Sequence, residues 1–213
     1  MKSPYIFDMD GTLFKTHLIL EPALEETFSW LREQSLWSGP TPLEMYQRIM
    51  GVPLPVVWET LCPDHSDEQR QTSNAHFQQA LINEITRRNG SLYEGVELTL
   101  AELSKTHPLH IASNGNMPYL QAIVSTYQLD RFITSINSID RIPSGNKSEL
   151  VATIVNAYEY SEGFVVGDRL SDIQAAKDNG LQAIGVRFDF AQEEELQQAN
   201  KVIDHFSELL AKK

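Results

Sequence analysis

A chain of 213 residues with a formal net charge of -12 and a sequence pI of about 4.9 has room for one large domain, or for one domain carrying a smaller insert. That charge excludes the basic footprint that a nucleic acid or an anionic membrane needs, so any anionic ligand must be met by cations placed locally. Cys62 is the only cysteine and no apolar run reaches the ~18 residues of a membrane span, which together point to a cytoplasmic protein without disulfides.

In chain order, Pro4 to Phe7 reads as a short apolar strand that runs into Asp8-Met9-Asp10-Gly11-Thr12-Leu13-Phe14. Residues two apart in an extended chain point the same way, so Asp8 and Asp10 are expected to lean together out of the strand end. Two like charges held that close call for a shared proton or a metal ion, and an all-oxygen site favours Mg²⁺. From Lys15 to Gly90 the periodicity is helical. Glu21-Pro22 is expected to open one helix, Thr41-Pro42-Leu43-Glu44 to form a capping box for a second, Pro55 to sit in the first turn of a third, and Ser66 with Gln69 to cap a fourth that stops at Asn89-Gly90. None of this stretch reads as strand, so residues 15–90 form a helical insert in a core of 1–14 and 91–213.

Beyond Tyr93, strands and helices alternate. Pro108 to Ala112, Phe132 to Ile139, Phe164 to Val166, Ala183 to Phe188 and Val202-Ile203 are strand candidates, separated by apolar helical stripes. This α/β alternation predicts a Rossmann-like, three-layer core around a parallel sheet, in which ligands sit at the carboxyl ends of the strands. Asp8 and Asp10, Ser113 and Asn114, and Asp168 all close such strands, so they are expected to converge. Asp172 follows one helical turn later, and Lys147 opens the helix before the Asp168 strand. Carboxylates, a metal, a hydroxyl, a lysine and backbone amides are the equipment of phosphoryl transfer, where positioning and charge neutralisation do most of the catalysis.

The order and spacing of Asp8-Met9-Asp10-Gly11-Thr12-Leu13, Ser113-Asn114-Gly115, Lys147 and Gly167-Asp168-x-x-x-Asp172 resemble the haloacid dehalogenase superfamily, in particular its phosphoglycolate-phosphatase-like members with a helical cap. The resemblance implies an Asp8 nucleophile that forms an aspartyl-phosphate and an Asp10 acid/base. It implies Mg²⁺ held by Asp8, the Asp10 carbonyl and Asp168, with Asp172 supporting the metal shell. Gly11, Thr12, Ser113, Asn114 and Lys147 are then the groups that hold the phosphoryl oxygens. Implied too is a small phosphorylated metabolite as substrate, with no nucleic-acid or membrane partner, in a monomer or homodimer. Met50 to Leu54 resembles the specificity loop of the cap. A phosphosugar mutase usually carries an arginine just after the loop glycine, and Val52-Pro53-Leu54 has none. A signalling receiver phosphorylates a lone aspartate on a later strand and has no helical insert. Lys15 stands where relatives carry an acid and reads as a solvated lysine. Glu193-Glu194-Glu195 reads as a solvated helix start.

Overall fold

The computed structural model describes residues 2–49, 54–189 and 191–211, so most of the Met50–Leu54 loop lies outside the described residues. By its internal contacts the chain divides into two compact units, residues 1–16 with 91–213, and residues 17–90.

The first unit holds a six-stranded sheet in which every pairing is parallel. Its strands are β1 (Tyr5–Phe7), β2 (Leu109–Ser113), β3 (Ser135–Ser138), β4 (Phe164–Gly167), β5 (Gln182–Val186) and β6 (Lys201–Ile203), in the spatial order β3-β2-β1-β4-β5-β6. The α/β fold predicted from the alternation is the one observed. β1 and β2 are buried at every residue, as strands covered on both faces should be. Alternation sorts the side chains of the central strands. Ile6, Val165 and Ala183 join one apolar cluster with Leu150 and Val151 of α7 (Lys147–Ala157) and Ile173 and Ala176 of α8 (Leu170–Asp178). Tyr5 and Phe7 face the other way, where Tyr5 stacks on Phe164 at 4.7 Å and Phe7 lies 5.8 Å from Phe206. Each fully buried aliphatic or aromatic side chain of this kind contributes roughly 1.5–3 kcal/mol. One outer strand, β3, is shorter than the sequence suggested: it begins at Ser135 rather than Phe132, because Phe132 and Ile133 close a 3₁₀ turn by bonding to Leu129 O.

The regular structure of the second unit is helical, with no strand among its described residues: α1 (His17–Glu33), α2 (Leu43–Arg48), α3 (Leu54–Leu61) and α4 (Asp67–Thr86). Three boundaries differ from expectation. α1 starts at His17, four residues before Glu21, and carries Pro22 inside it; the buried stripe Ile19, Leu20, Ala23, Leu24, Phe28 and Leu31 outweighs the one backbone bond that Pro22 cannot donate. Thr41 does not cap α2: its hydroxyl is turned to donate to Glu25 and accept from Arg32 Nη1 at 3.3 Å, so Pro42 stands at the N-cap with no side-chain bond. α4 ends at Thr86 rather than at Asn89-Gly90, since Arg88 takes a left-handed φ of 61°. The capping box of Ser66 and Gln69 is present as predicted, with Gln69 N bonded to Ser66 Oγ at 3.3 Å. Cys62 is buried, which pushes its thiol up to about 11 and leaves it inert.

Candidate active site

The polar residues collect where β1, β2 and β4 end. Asp8 follows β1, and its N–H donates to Val166 O at 2.9 Å, which pins it beside β4. The chain then turns tightly, with Met9 O accepting from Leu13 N and Phe14 N, both at 2.9 Å. Gly11 is required in that turn: its φ is +76°, and a Cβ there would sit 2.6 Å from Asp168 Oδ2. Asp168 follows β4 directly, and Thr12 donates its hydroxyl to Asp168 Oδ1 at 3.2 Å. One turn into α8, Asp172 accepts from Arg169 N at 3.1 Å and packs against Gly167, where a Cβ would lie 2.1 Å from Asp172 Cγ. Lys147 opens α7 behind the N-cap Asn146 and is buried.

These elements bring Asp8, Asp168 and Asp172 together, each buried, with carboxylate oxygens all within 4.8 Å of one another. Lys147 Nζ is ion-paired to Asp8 and, at 2.5 Å, to Asp172 Oδ1. Burial drives the Asp8 carboxyl well above its ordinary range, with Lys147 opposing and the neighbouring carboxylates adding to the rise. Burial, and then Asp172, push Asp168 up to about 7. Burial disfavours a charged Lys147, but Asp172 and Asp8 outweigh it and raise its affinity for a proton. One ammonium among three buried carboxylates leaves an excess of negative charge, and a hard divalent cation bound by oxygen would compensate it. The donor set therefore fits Mg²⁺.

Asp10 behaves differently from the expected pairing with Asp8. β1 ends at Phe7, so strand alternation does not reach Asp10; its carboxylate stands outside the cluster of Asp8, Asp168 and Asp172, and Oδ1 accepts the hydroxyls of Thr16 and Tyr119, both at 2.5 Å. Burial raises its pKa, and the two hydroxyls oppose the rise. Ser113 ends β2, and its Oγ accepts from Gly115 N at 3.1 Å. It does not cap the next helix, α6 (Met117–Thr126), which follows α5 (Val96–Ser104) and β2 in the chain and whose N-cap is Asn116. Asn114 is exposed.

Three contributors were not legible in the sequence. Tyr119 reaches Asp10 from 109 residues away, and no motif marks it. Thr16 follows Asp10 by six residues across a turn, and its side chain meets Asp10 only because the turn folds back. Glu195 is not merely solvated: its Oε2 accepts from Leu170 N at 2.7 Å and Arg169 Nε at 3.1 Å, bracing the start of α8 beside Asp168. Lys15 places its ammonium 5.4 Å from the centre of the Tyr93 ring.

Residues 5–186 match the model of the haloacid dehalogenase-like hydrolases, which is most of the chain. The chain belongs to that family. A pyrophosphatase PpaX from Listeria monocytogenes is 25% identical over 97% of this chain and 94% of its own length. A 5'-nucleotidase from Pseudomonas aeruginosa is 24% identical over 90% and 85%. Among solved structures, CbbY from Rhodobacter sphaeroides in complex with phosphate has a TM-score of 0.81 at 19% identity, covering 98% of this chain and 96% of that one. A haloacid dehalogenase-like hydrolase from Streptococcus pneumoniae has a TM-score of 0.79 at 19% identity, covering 98% and 97%. These structures share the fold of this chain. Family and site chemistry together make the chain a phosphatase, and among the described residues no helix is long and apolar enough to cross a membrane.

Proposed function

We propose that the chain is a Mg²⁺-dependent phosphatase that hydrolyses a small phosphorylated metabolite through an aspartyl-phosphate on Asp8. The observation that carries this reading is the buried cluster of Asp8, Asp168 and Asp172 gathered around Lys147. Asp8, the Asp10 carbonyl and Asp168 would hold Mg²⁺, which supplies charge neutralisation between the attacking carboxylate and the phosphoryl oxygens. Lys147 lies against Asp8 and supplies a second positive charge for the same oxygens. Ser113 and the Asn114 amide that follows β2 orient the phosphoryl group, whereas Gly11 and Thr12, expected to help, spend their N–H groups on Phe14 O and Met9 O and the Thr12 hydroxyl on fixing Asp168. An Asp8 oxygen forms the new bond to phosphorus as the ester P–O bond breaks. Asp10 gives its proton to the departing oxygen, then takes one from the water that cleaves the aspartyl-phosphate. Asp172 keeps Lys147 in place rather than holding the metal. The helical unit of residues 17–90 acts as the cap that limits substrate size.

The substrate class is a phospho-acid, a sugar phosphate or a nucleoside monophosphate, and the names of the curated relatives add pyrophosphate to the set worth testing. Phosphate release across such a panel, with Mg²⁺ and with chelator, is expected to depend on the metal for every substrate turned over. Asp8→Asn keeps the side-chain shape and removes the attacking charge, so turnover is expected to fall to background. Rapid-quench mass spectrometry should place the phosphoryl adduct on Asp8 in the native protein. An adduct on another residue, or ordinary turnover by Asp8→Asn, would contradict the two-step reading.

A further inference from the structure

We infer that Tyr119 is a positioning residue for Asp10, and that Gly115 is there to admit its ring. The inference rests on the acid/base role proposed for Asp10. Tyr119 lies on α6 with only 4% of its surface exposed, and its backbone N–H donates to the N-cap Asn116 at 2.9 Å. Its hydroxyl donates to Asp10 Oδ1 at 2.5 Å. Thr16 donates to the same oxygen, and among the described residues no hydrogen bond reaches Oδ2. One carboxylate oxygen is thus clamped, and the other is left to exchange a proton.

The ring can reach that far because Gly115 presents no side chain to it. A Cβ at Gly115 would meet Tyr119 Cδ1 at 2.9 Å, closer than real Cβ atoms come, and Leu120 Cδ2 at 3.2 Å, a tight contact. Gly115 also donates its N–H to Ser113 Oγ, so the loop that follows β2 sets both the Ser113 hydroxyl and, through Tyr119, the direction of the Asp10 carboxylate. Ser113-Asn114-Gly115 therefore serves two ends of one reaction: the phosphoryl oxygens at Ser113, and the leaving oxygen by way of Gly115 and Tyr119.

A positioning role predicts a loss that depends on how much the leaving oxygen needs a proton. An alkoxide takes the Asp10 proton as its P–O bond breaks, whereas an aryl oxide departs with little help. The test measures kcat/KM, which reports steps up to departure of the leaving group, for a series from alkyl to nitrophenyl phosphates. Tyr119→Phe removes one hydroxyl and keeps the packed ring. It is expected to lose about tenfold or more on alkyl esters, within the general-acid range, and several-fold less on aryl esters, so that the dependence on leaving-group pKa steepens. Gly115→Ala, which crowds the ring, should steepen it in the same sense. An equal loss on every ester, or no loss, in Tyr119→Phe would overturn the inference. Asp10→Asn in the same series separates the two readings: if its dependence does not steepen, the acid role of Asp10 fails, and if it steepens while Tyr119→Phe does not, only the role of Tyr119 fails.

Discussion

Lys147 is the cation on which the buried acids depend. Its ammonium is 5% exposed and paired with both Asp8 and Asp172, so replacing it leaves carboxylates in the interior with no opposite charge. Breaking a buried pair by removing one partner typically costs 3–5 kcal/mol, part of which protonation of the acids can recover. Lys147→Met is therefore expected to lower stability by about 3 kcal/mol in metal-free buffer at neutral pH. Urea unfolding of the two proteins measures it, and a loss near zero would mean that the acids are already protonated and the ion pairs are weak. At the same scale, Glu195 shows how a residue outside every motif comes to matter. The sequence places it in an acidic run, whereas the fold sets it against the first amide of α8.

At the scale of elements, the junction from β4 to α8 is built around Gly167. A methyl group there would occupy the position of Asp172, 2.1 Å from its Cγ, and the neighbour cannot give way without breaking its bonds to Arg169 N and Lys147. Gly167→Ala is expected to cost about 1–3 kcal/mol, the usual range for overpacking a filled site. Denaturant titration checks it, and an unchanged midpoint would show that the first turn of α8 is free to move. β2 holds a different constraint in His110, whose two ring nitrogens contact Ser135 Oγ at 2.8 Å and Tyr160 OH at 2.9 Å. Burial lowers its pKa from 6.5 to about 4, so the folded protein keeps it neutral where the unfolded chain would protonate it. Between these two values the unfolded state binds the extra proton. The contribution of His110 to stability is therefore complete above 6.5, is lost as pH falls toward 4, and changes no further below that, amounting to about 3 kcal/mol. Unfolding midpoints of the native protein and His110→Gln at several pH values across this window should show a shallower pH slope in the variant; identical slopes would remove His110 as the source.

For the whole molecule, a net charge of -12 means that binding of a divalent cation relieves repulsion as well as completing the site. A ligand that binds only the folded state adds about 2.7 kcal/mol of stability at a hundred times its dissociation constant. Mg²⁺ is accordingly expected to raise the melting temperature of the native protein, to do so almost as much in Asp172→Ala, and to fail in Asp168→Ala. An equal loss of the shift in both variants would make Asp172 a direct metal ligand and correct the assignment made for it. Because the readout is thermal, it holds even where no substrate is turned over.

By itself the sequence determined the α/β class, the parallel sheet, the family and the residues that close the strands. Apolar runs of four to six residues between amphipathic helices leave little choice of architecture, and a motif such as Asp8-Met9-Asp10-Gly11-Thr12 is contiguous, so its local chemistry survives any uncertainty about the rest. It also found the Ser66–Gln69 capping box, since that interaction spans a single turn. It misjudged the cap of α2, because whether the Thr41 oxygen accepts from its own helix or is drawn to Glu25 and Arg32 depends on which side chains the packed unit brings near. The tertiary structure alone decided that Asp8 clusters with Asp168 and Asp172 while Asp10 turns to Thr16 and Tyr119. Alternation fixes which way a side chain points only within a strand, and β1 ends at Phe7, before Asp8; of the two partners that receive Asp10, Thr16 follows a tight turn and Tyr119 comes from a helix 109 residues away.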